Sequence, residues 1–529
     1  MALGLLGILV SLALLITLAY RGVTIVVAAP LSALVAMLFS GAPILANYTE
    51  IFMPALANFI GQYFPMFLTG AIFGKLMTMA GYATDIARVV TRWLGPKRAL
   101  LATVLTTALL TYGGISVFVV VFVMFPLARE LFRAADIPRR LIPGAIAHGM
   151  LTFTMTALPG SPQVQNIIPG QAFQTTTFAA PGLGILGGTI IFILGMLWLE
   201  HRKRQLTARG EHFADPTALE LRSGAGADIG AGAAAMSVGD GSSSRGSAGS
   251  SAGQTRTSPG PGATTAHDNG TGNGTDSGNT SDSASPARPS TPGMLTPPNH
   301  VFPFIPVLLV FLINFGCTMV LFPLMDWGYL QDERYGGIGL GDRAGAWAVL
   351  TALAGAILAI LAMNARHLRW ILQGITDGAR NALLPIFNTA SEVGYGAVVA
   401  SLAAFALIRE GIFGVSENAL VASAVSTSTI SGVTGSASGG MTIALNALGE
   451  ELRDLAVDQG ISLEAMHRIT AMASGGLDSM PHNGAVITLI IVCGMTHRES
   501  YKDVGVVSLV IPVLVTAALI PLVLTVGSF

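Results

Sequence analysis

Charge is scarce in this 529-residue sequence: Lys, Arg, Asp and Glu together make up 11% of it, against 52% hydrophobic residues. A soluble domain carries roughly 25% charged residues to keep its surface wet, so a water-soluble globular chain is excluded. Cysteine is nearly absent. Cys317 and Cys493 both sit inside apolar segments, where they read as small apolar filler rather than disulfide, metal or catalytic groups. There is no G-x-x-x-x-G-K-[ST] run to cradle a nucleotide, no Cys/His cluster at zinc spacing, and no span with the evenly placed arginines of a voltage sensor. Alternating segments of about ten residues, the mark of a membrane β-barrel, are missing too. No metal, cofactor or nucleic acid is expected as a partner.

What the sequence has is apolar length. Runs at Gly4–Ala19, Val23–Phe39, Gly182–Leu199, Pro303–Leu324, Ala344–Met363 and Val506–Val526 lift the mean hydropathy to +0.64. Each approaches the ~20 residues that cross hydrocarbon as a helix, so the fold class expected is an all-α polytopic membrane protein. The first run has no basic residue ahead of it, Arg21 following instead, and reads as an uncleaved span rather than a signal peptide.

From about Gln205 to His300 the apolar pattern stops. Ser242–Ser251 and Ser258–Ser290 are built from Gly, Ser, Thr, Ala and Pro, a composition that cannot bury enough surface to offset ordering entropy. Residues 205–300 are therefore expected to be a disordered linker between membrane halves 1–204 and 301–529. Three N-x-S/T triplets in it, at Asn269, Asn273 and Asn279, are read as chance in so Ser/Thr-rich a stretch.

The two halves repeat one another. Pro65-Met66-Phe67-Leu68-Thr69 matches Pro385-Ile386-Phe387-Asn388-Thr389, and each precedes a Gly-punctured hairpin, Thr111–Ser116 or Ser431–Ser436. Then come Leu127-Ala128-Arg129-Glu130-Leu131 or Leu448-Gly449-Glu450-Glu451-Leu452, and a span broken at Pro159 or Pro481. The Pro-to-Gly spacings are 49 and 50 residues, and the Gly-to-Pro spacings 45 and 46.

Charge orients the repeats. Gly81–Arg98 and Arg129–Arg140 are basic, hence both cytoplasmic by the positive-inside rule. The roughly 30 residues between them must leave and return on one side, as a re-entrant hairpin turning at Gly113-Gly114. The flanks of the second hairpin, Arg409–Asn418 and the acidic Gly449–Glu464, read as external. The linker follows His201-Arg202-Lys203-Arg204, which puts it in the cytoplasm. Two inverted-topology repeats, each with a re-entrant hairpin and a broken helix, are the pattern of secondary transporters that bind near the bilayer midplane. Helix breaks there leave backbone groups unpaired, which is tolerable where they line a cavity or meet a ligand.

The candidate substrate-binding residues lie at those irregularities. The hairpin tips offer Thr111, Gly113, Gly114 and Ser116 in one half and Ser431, Thr434, Gly435 and Ser436 in the other. Around the first break stand Thr154, Thr156, Ser161, Gln163 and Asn166; around the second, Ser479 and Asn483. Helix N-termini and amides in such places suit a carboxylate. For proton or cation coupling the candidates are Asp478 and His482, which Pro481 keeps off one helical face, together with His148 and Glu392. A carboxylate at membrane depth is costly and usually functional, and histidine titrates near neutral pH. Lys75, also in an apolar stretch, either neutralises a substrate carboxylate or pairs with an acid.

Ala147-His148-Gly149 through Pro159-Gly160-Ser161-Pro162 and Gln165-Asn166, with Phe178–Gly184 and Ser474–Gly484, resembles the gluconate permease (GntP) family of proton symporters. Within it, the branch that carries short hydroxy acids such as 3-hydroxybutyrate is the nearest in pattern. The resemblance covers both membrane halves and not the linker. It implies a homodimer with scaffold and moving transport domains working by an elevator-type movement. The expectation is a non-enzymatic, proton-coupled symporter of a small organic anion in a bacterial inner membrane. The alternatives are a sodium-coupled di- or tricarboxylate carrier resembling those of citrate, an anion channel, and an intramembrane enzyme using Asp478 and His482 as acid and base.

Overall fold

The computed structural model describes residues 2–21, 23–214 and 301–527. The expected linker lies, from residue 215 on, outside the described residues, as do Asn269, Asn273 and Asn279. All regular structure among the described residues is helical, and six helices are long and apolar enough to cross a membrane, or seven if one pair bent by 92° is a single span. The protein is an all-α polytopic membrane protein.

The first half comprises α1 (Ala2–Tyr20), α2 (Ile25–Ser40), α3 (Ile44–Asn47), α4 (Met53–Met79), α5 (Tyr82–Leu94), α6 (Ala99–Tyr112), α7 (Val117–Ala134), α8 (Ile142–Met150), α9 (Ile168–Phe173) and α10 (Pro181–Ala208). A π-helical turn, Tyr48–Phe52, joins α3 to α4. The second half comprises α11 (Ile305–Gly316), α12 (Ala344–Met363), α13 (Leu368–Ser401), α14 (Phe405–Val415), α15 (Ala419–Thr434) and α16 (Ala437–Asp458). It ends with α17 (Leu463–Leu477), α18 (Gly484–Val492), α19 (His497–Gly505) and α20 (Ile511–Val526).

Apart from α3 and α19, which have no counterpart, the order of helices matches between the halves, and so does the packing. Helices α4 and α13 cross at the centre, α2 packs on α13 while α12 packs on α4, and α10 lies against α20. The exchange extends to the irregular parts: α7 meets α18, and α16 meets α9. Each hairpin therefore sends its outgoing arm onto the broken span of the other half. Small residues permit the central crossing. A Cβ at Gly378 would stand 2.6 Å from the Ile72 Cα and one at Gly374 2.6 Å from the Met79 sulfur, so both positions must lack a side chain. Pro65 and Pro385 bend neither helix out of register, and the Thr four residues on returns its hydroxyl to the proline carbonyl in both, at 2.8 and 3.2 Å.

Gly81–Arg98, expected as a loop, contains a helix instead. Its charges share α5 with a buried stripe of Tyr82, Ala83, Ile86 and Ala87, so high charge density marks one face of an amphipathic helix rather than a turn. Likewise Arg129–Ala134 is the last part of α7, and Arg409–Val415 the end of α14. The boundary expected after residue 204 falls inside α10, which runs on to Ala208. Residues just beyond are tied back: Arg140 pairs with Glu211 at 3.4 Å, and the Arg133 guanidinium lies 5.5 Å over the Phe213 ring. Asp136 accepts from the Phe213 amide (3.0 Å) and from His212 (2.6 Å), bonds that hold its carboxyl below the usual carboxylate range.

Helix α10 measures the distance between two charge groups. Twenty-eight residues at 1.5 Å each separate its ends by about 40 Å. Its first end adjoins Glu464, which accepts from the Ala180 amide at 3.1 Å. Just beyond its last turn, Glu211 and Phe213 meet Arg140 and Arg133. Glu464 of the second hairpin's acidic flank and these arginines of one basic flank of the first therefore sit at opposite ends of one long helix, as opposed topology requires.

At the basic end Asp503, on α19, is fully buried and accepts from Arg202 Nε at 2.7 Å and Trp198 Nε1 at 3.1 Å. Removing one member of a buried pair leaves an uncompensated charge and costs about 3–5 kcal/mol. Asp503→Ala is therefore expected to lower the unfolding free energy by about that amount, read as a lower thermal midpoint in detergent. An unchanged midpoint would show that Arg202 finds another partner.

Candidate functional site

The first broken span is assembled from its own polar side chains. Helix α8 stops at Met150, a π-helical turn covers Phe153–Ala157, and Pro159 and Pro162 prevent resumption until the short 3-10 turn Val164–Asn166. Backbone groups freed in this way need partners. Ser161 Oγ donates to the Thr154 carbonyl (2.7 Å), Thr154 Oγ1 to Gly149 (2.7 Å) and Thr156 Oγ1 to Thr152 (3.2 Å). Asn166 Nδ2 donates to the carbonyls of Ser161 and Thr177 at 3.0 and 2.9 Å. All four side chains are buried.

The first hairpin tip sits directly on this break. Gln163 Nε2 donates to the Thr111 carbonyl at 2.8 Å, and the Tyr112 hydroxyl to the Pro159 carbonyl at 2.7 Å. Gly113 and Gly114 turn the chain into α7, Gly114 at φ +95°. A side chain at either would strike Val307 or Leu353 of the second half, at 2.8 and 2.9 Å. Ser116 precedes α7 without capping it through its side chain. Thr111 Oγ1 is buried and has no hydrogen-bond partner.

The second half repeats the arrangement. Helix α17 ends at Leu477, Asp478 and Ser479 turn the chain, and Asn483 caps α18 by accepting from Val486 N at 2.8 Å. The second tip docks here, with Asn483 Nδ2 donating to the Gly435 carbonyl at 2.9 Å. The His482 ring packs so closely under Gly435, at φ +66°, that a Cβ there would come within 2.7 Å of it. Thr434 Oγ1 returns to the Ile430 carbonyl, and Ser436 Oγ caps α16 by accepting from Gly439 N at 3.1 Å. Ser431 Oγ, like that of Thr111, is buried without a partner. In both halves, then, a break amide is donated to a tip carbonyl, and an unused hydroxyl lies beside it.

Asp478 is 2% exposed, and Ser479 Oγ donates to it at 3.1 Å. It makes no ion pair among the described residues. His497 and Tyr501 of α19 brace the turn by bonding the carbonyls of Pro481 and Ser479 at 3.0 and 3.1 Å. Glu392 reaches the second tip from α13, where Ser436 bonds its carboxyl group. His148, by contrast, stands apart from both tips. Its ring lies between Phe153 and Phe192, with centroids 5.5 and 6.1 Å away, in the space left by Gly195. Lys75 pairs with Asp377 at 3.4 Å.

Arg468 is the residue that the sequence pattern does not single out. It projects from α17, fully buried, into the first half's break. Nη1 donates to Asn166 Oδ1 at 2.7 Å, Nη2 to the carbonyls of Thr177 (3.2 Å) and Ala179 (2.7 Å), and Nε to Ala179 (3.1 Å). It has no carboxylate within ion-pair distance among the described residues. Beside it His467 Nδ1 meets Thr175 Oγ1 at 2.7 Å. The available signal was an arginine inside the apolar approach to Pro481, hidden by its nearness to the charged flank ending at Glu464.

Each tip is thus docked on its break by a side-chain amide. One cavity, of about 430 Å³, opens between α9 and α16 beside Glu450, Arg453 and Asp454, and another, of about 550 Å³, beside Leu3, Phe39 and Ser401. Neither reaches a tip.

The chain is 38% identical over 509 residues to "Uncharacterized transporter YxjC" of Bacillus subtilis, an alignment spanning 95% of both proteins. It belongs to that transporter family. A second protein named as a transporter, from Haemophilus influenzae, shares 26% identity over 160 residues, 30% of this chain and 35% of its own length. No protein-family profile matches the sequence. This transporter's multi-pass membrane character thus agrees in composition, fold and kinship.

Replacing Arg468 by Met would take the guanidinium donors from the Asn166 side-chain oxygen and the Ala179 carbonyl, at about 1–3 kcal/mol each, while the Thr177 carbonyl keeps Asn166 Nδ2 and the Gly160 amide. Arg468→Met is expected to fall in thermal midpoint, and Arg468→Lys to recover little of it, because an ammonium cannot reproduce the guanidinium fork. Full recovery with Lys would mean that charge alone matters there.

Proposed function

We propose that this transporter is a proton-coupled symporter of a small hydroxy- or carboxylate anion, of the gluconate permease kind and nearest to carriers of short hydroxy acids. It would act as a homodimer in a bacterial inner membrane, with elevator-type movement. The observation that carries this reading is the duplicated docking of hairpin tip on broken span, Gln163 on Thr111 and Asn483 on Gly435. Such paired discontinuities are where secondary transporters hold their substrates.

The chemistry of the site supports an anion. Asn483 joins the N-termini of α16 and α18, each a positive dipole end, and Arg468 adds a cation behind the first break. Thr111 and Ser431 keep hydroxyls available for a carboxylate or hydroxyl group. Asp478, His482, His148 and Glu392 are the groups offered for the proton, with the first two nearest the second break. The closed tips favour alternating access over an open channel pathway.

Uptake into proteoliposomes, competed by gluconate, 3-hydroxybutyrate, lactate, citrate and succinate, tests the substrate class. Imposed pH or sodium gradients test coupling. Short hydroxy acids should compete best and an inward proton gradient should drive accumulation. Uptake that ignores the pH gradient and follows sodium removes the proton reading, and competition by citrate alone removes the hydroxy-acid one.

A further inference from the structure

Glu392 sits where a carboxylate has least support. It lies on α13, seven residues past Pro385, is 6% exposed, and aims at the first turn of α16. Its Oε2 has no hydrogen-bond partner. A Cβ on Gly439 would come within 2.2 Å of that oxygen, so the helix is bare just where the acid rests on it. A helix N-terminus ordinarily favours an anion through its free amides. Here two of those amides are already taken: Ser436 N bonds the Ser431 carbonyl at 3.2 Å, and Gly439 N bonds Ser436 Oγ at 3.1 Å. The Ser436 hydroxyl stands beside the carboxyl, 3.0 Å from the place where the Gly439 Cβ would be.

Among the described residues no cation pairs with it, and the other charges of α13 itself, Arg369, Asp377 and Arg380, all precede Pro385. Helix α2 carries no charged residue, and the charges of α16 begin at Glu450, near its far end. Helix α4 has Lys75, engaged with Asp377. The turn Tyr48–Phe52 contributes the exposed Glu50 and the half-buried Tyr48, and packs Phe52 against Gly394. On α13 itself Tyr395 bonds Ser11 at 2.9 Å. The nearest titratable group across the tip is His482, beneath Gly435. An ionised carboxylate buried without such compensation is expensive. One carboxyl and one hydroxyl are partners for a proton, not a coordination shell for a metal cation.

We infer that Glu392 is the proton-binding latch of the second hairpin: carrying a proton it packs against Gly439 and keeps the tip docked on the Pro481 break, and losing the proton it frees the tip. This rests on the proton-coupled reading above and assigns the proton's place within it.

The test follows tip accessibility rather than uptake. Val433→Cys is placed in a full-length background with Cys317→Ala and Cys493→Ala, reconstituted in liposomes and labelled with a membrane-permeant maleimide. Its rate is divided, at each pH, by that of the same protein carrying Glu392→Gln, which cancels the thiol's own titration. The ratio is expected to rise severalfold from mildly acidic to mildly alkaline pH. Gly439→Ala, which displaces the carboxyl, should label rapidly at every pH, and it serves as the comparison if Glu392→Gln does not elute as a folded species. A ratio that stays flat, or a Gly439→Ala protein as protected as its parent, overturns the latch. Uptake in the same liposomes separates the two ideas: pH-dependent labelling with uptake indifferent to the pH gradient keeps the latch and removes proton symport, and the converse does the opposite.

Discussion

A backbone amide or carbonyl left unpaired at membrane depth is the constraint on which this architecture depends. Both breaks create several, and nearly everything polar nearby is explained by their satisfaction. Ser161, Thr154 and Asn166 bond the first break's own carbonyls, while Asn483 caps the helix that resumes after the second. The hairpin tips are drawn in for the same reason, since their turning carbonyls at Thr111 and Gly435 also need donors. Tip and break are thus complementary, each supplying what the other lacks. That complementarity makes tip and break a single structural unit, because neither set of backbone groups is satisfied without the other.

The pseudo-twofold relation between the halves holds for elements and packing but lapses at the chemistry. Seven residues after Pro65 stands Ile72, where the second half has Glu392. The stretch of the first half that matches Arg468 is apolar, Ile146-Ala147. The first tip leans on Val307 and Leu353, the second on His482. One hairpin tip is therefore packed on apolar side chains and the other on a titratable ring.

Much of this was legible because the irregularities have sequence marks. Gly113-Gly114 and Gly435 mark the tips, Pro159, Pro162 and Pro481 the breaks, and equal spacings pair them. Arg468 was not legible, since its partners are an amide oxygen and main-chain carbonyls between Asn166 and Ala179, about 300 positions away, and carbonyls leave no pattern. The helix inside Gly81–Arg98 was masked by charge that belongs to its wet face. The surroundings of His148 leave no pattern either: its ring lies between Phe153 and Phe192, 3.2 Å from the Phe192 carbonyl, in the space left by Gly195.

Arg468 also bears on how such a chain can evolve. Two identical halves, as a fresh duplication leaves them, are interchangeable, and either can pair with a copy of itself. Once a guanidinium from the later half became the scaffold for the earlier half's break, that freedom ended. The early half now requires its sibling to hold its shape, and the later half carries a charge that only the sibling can clothe. Neither half, on its own, keeps these bonds.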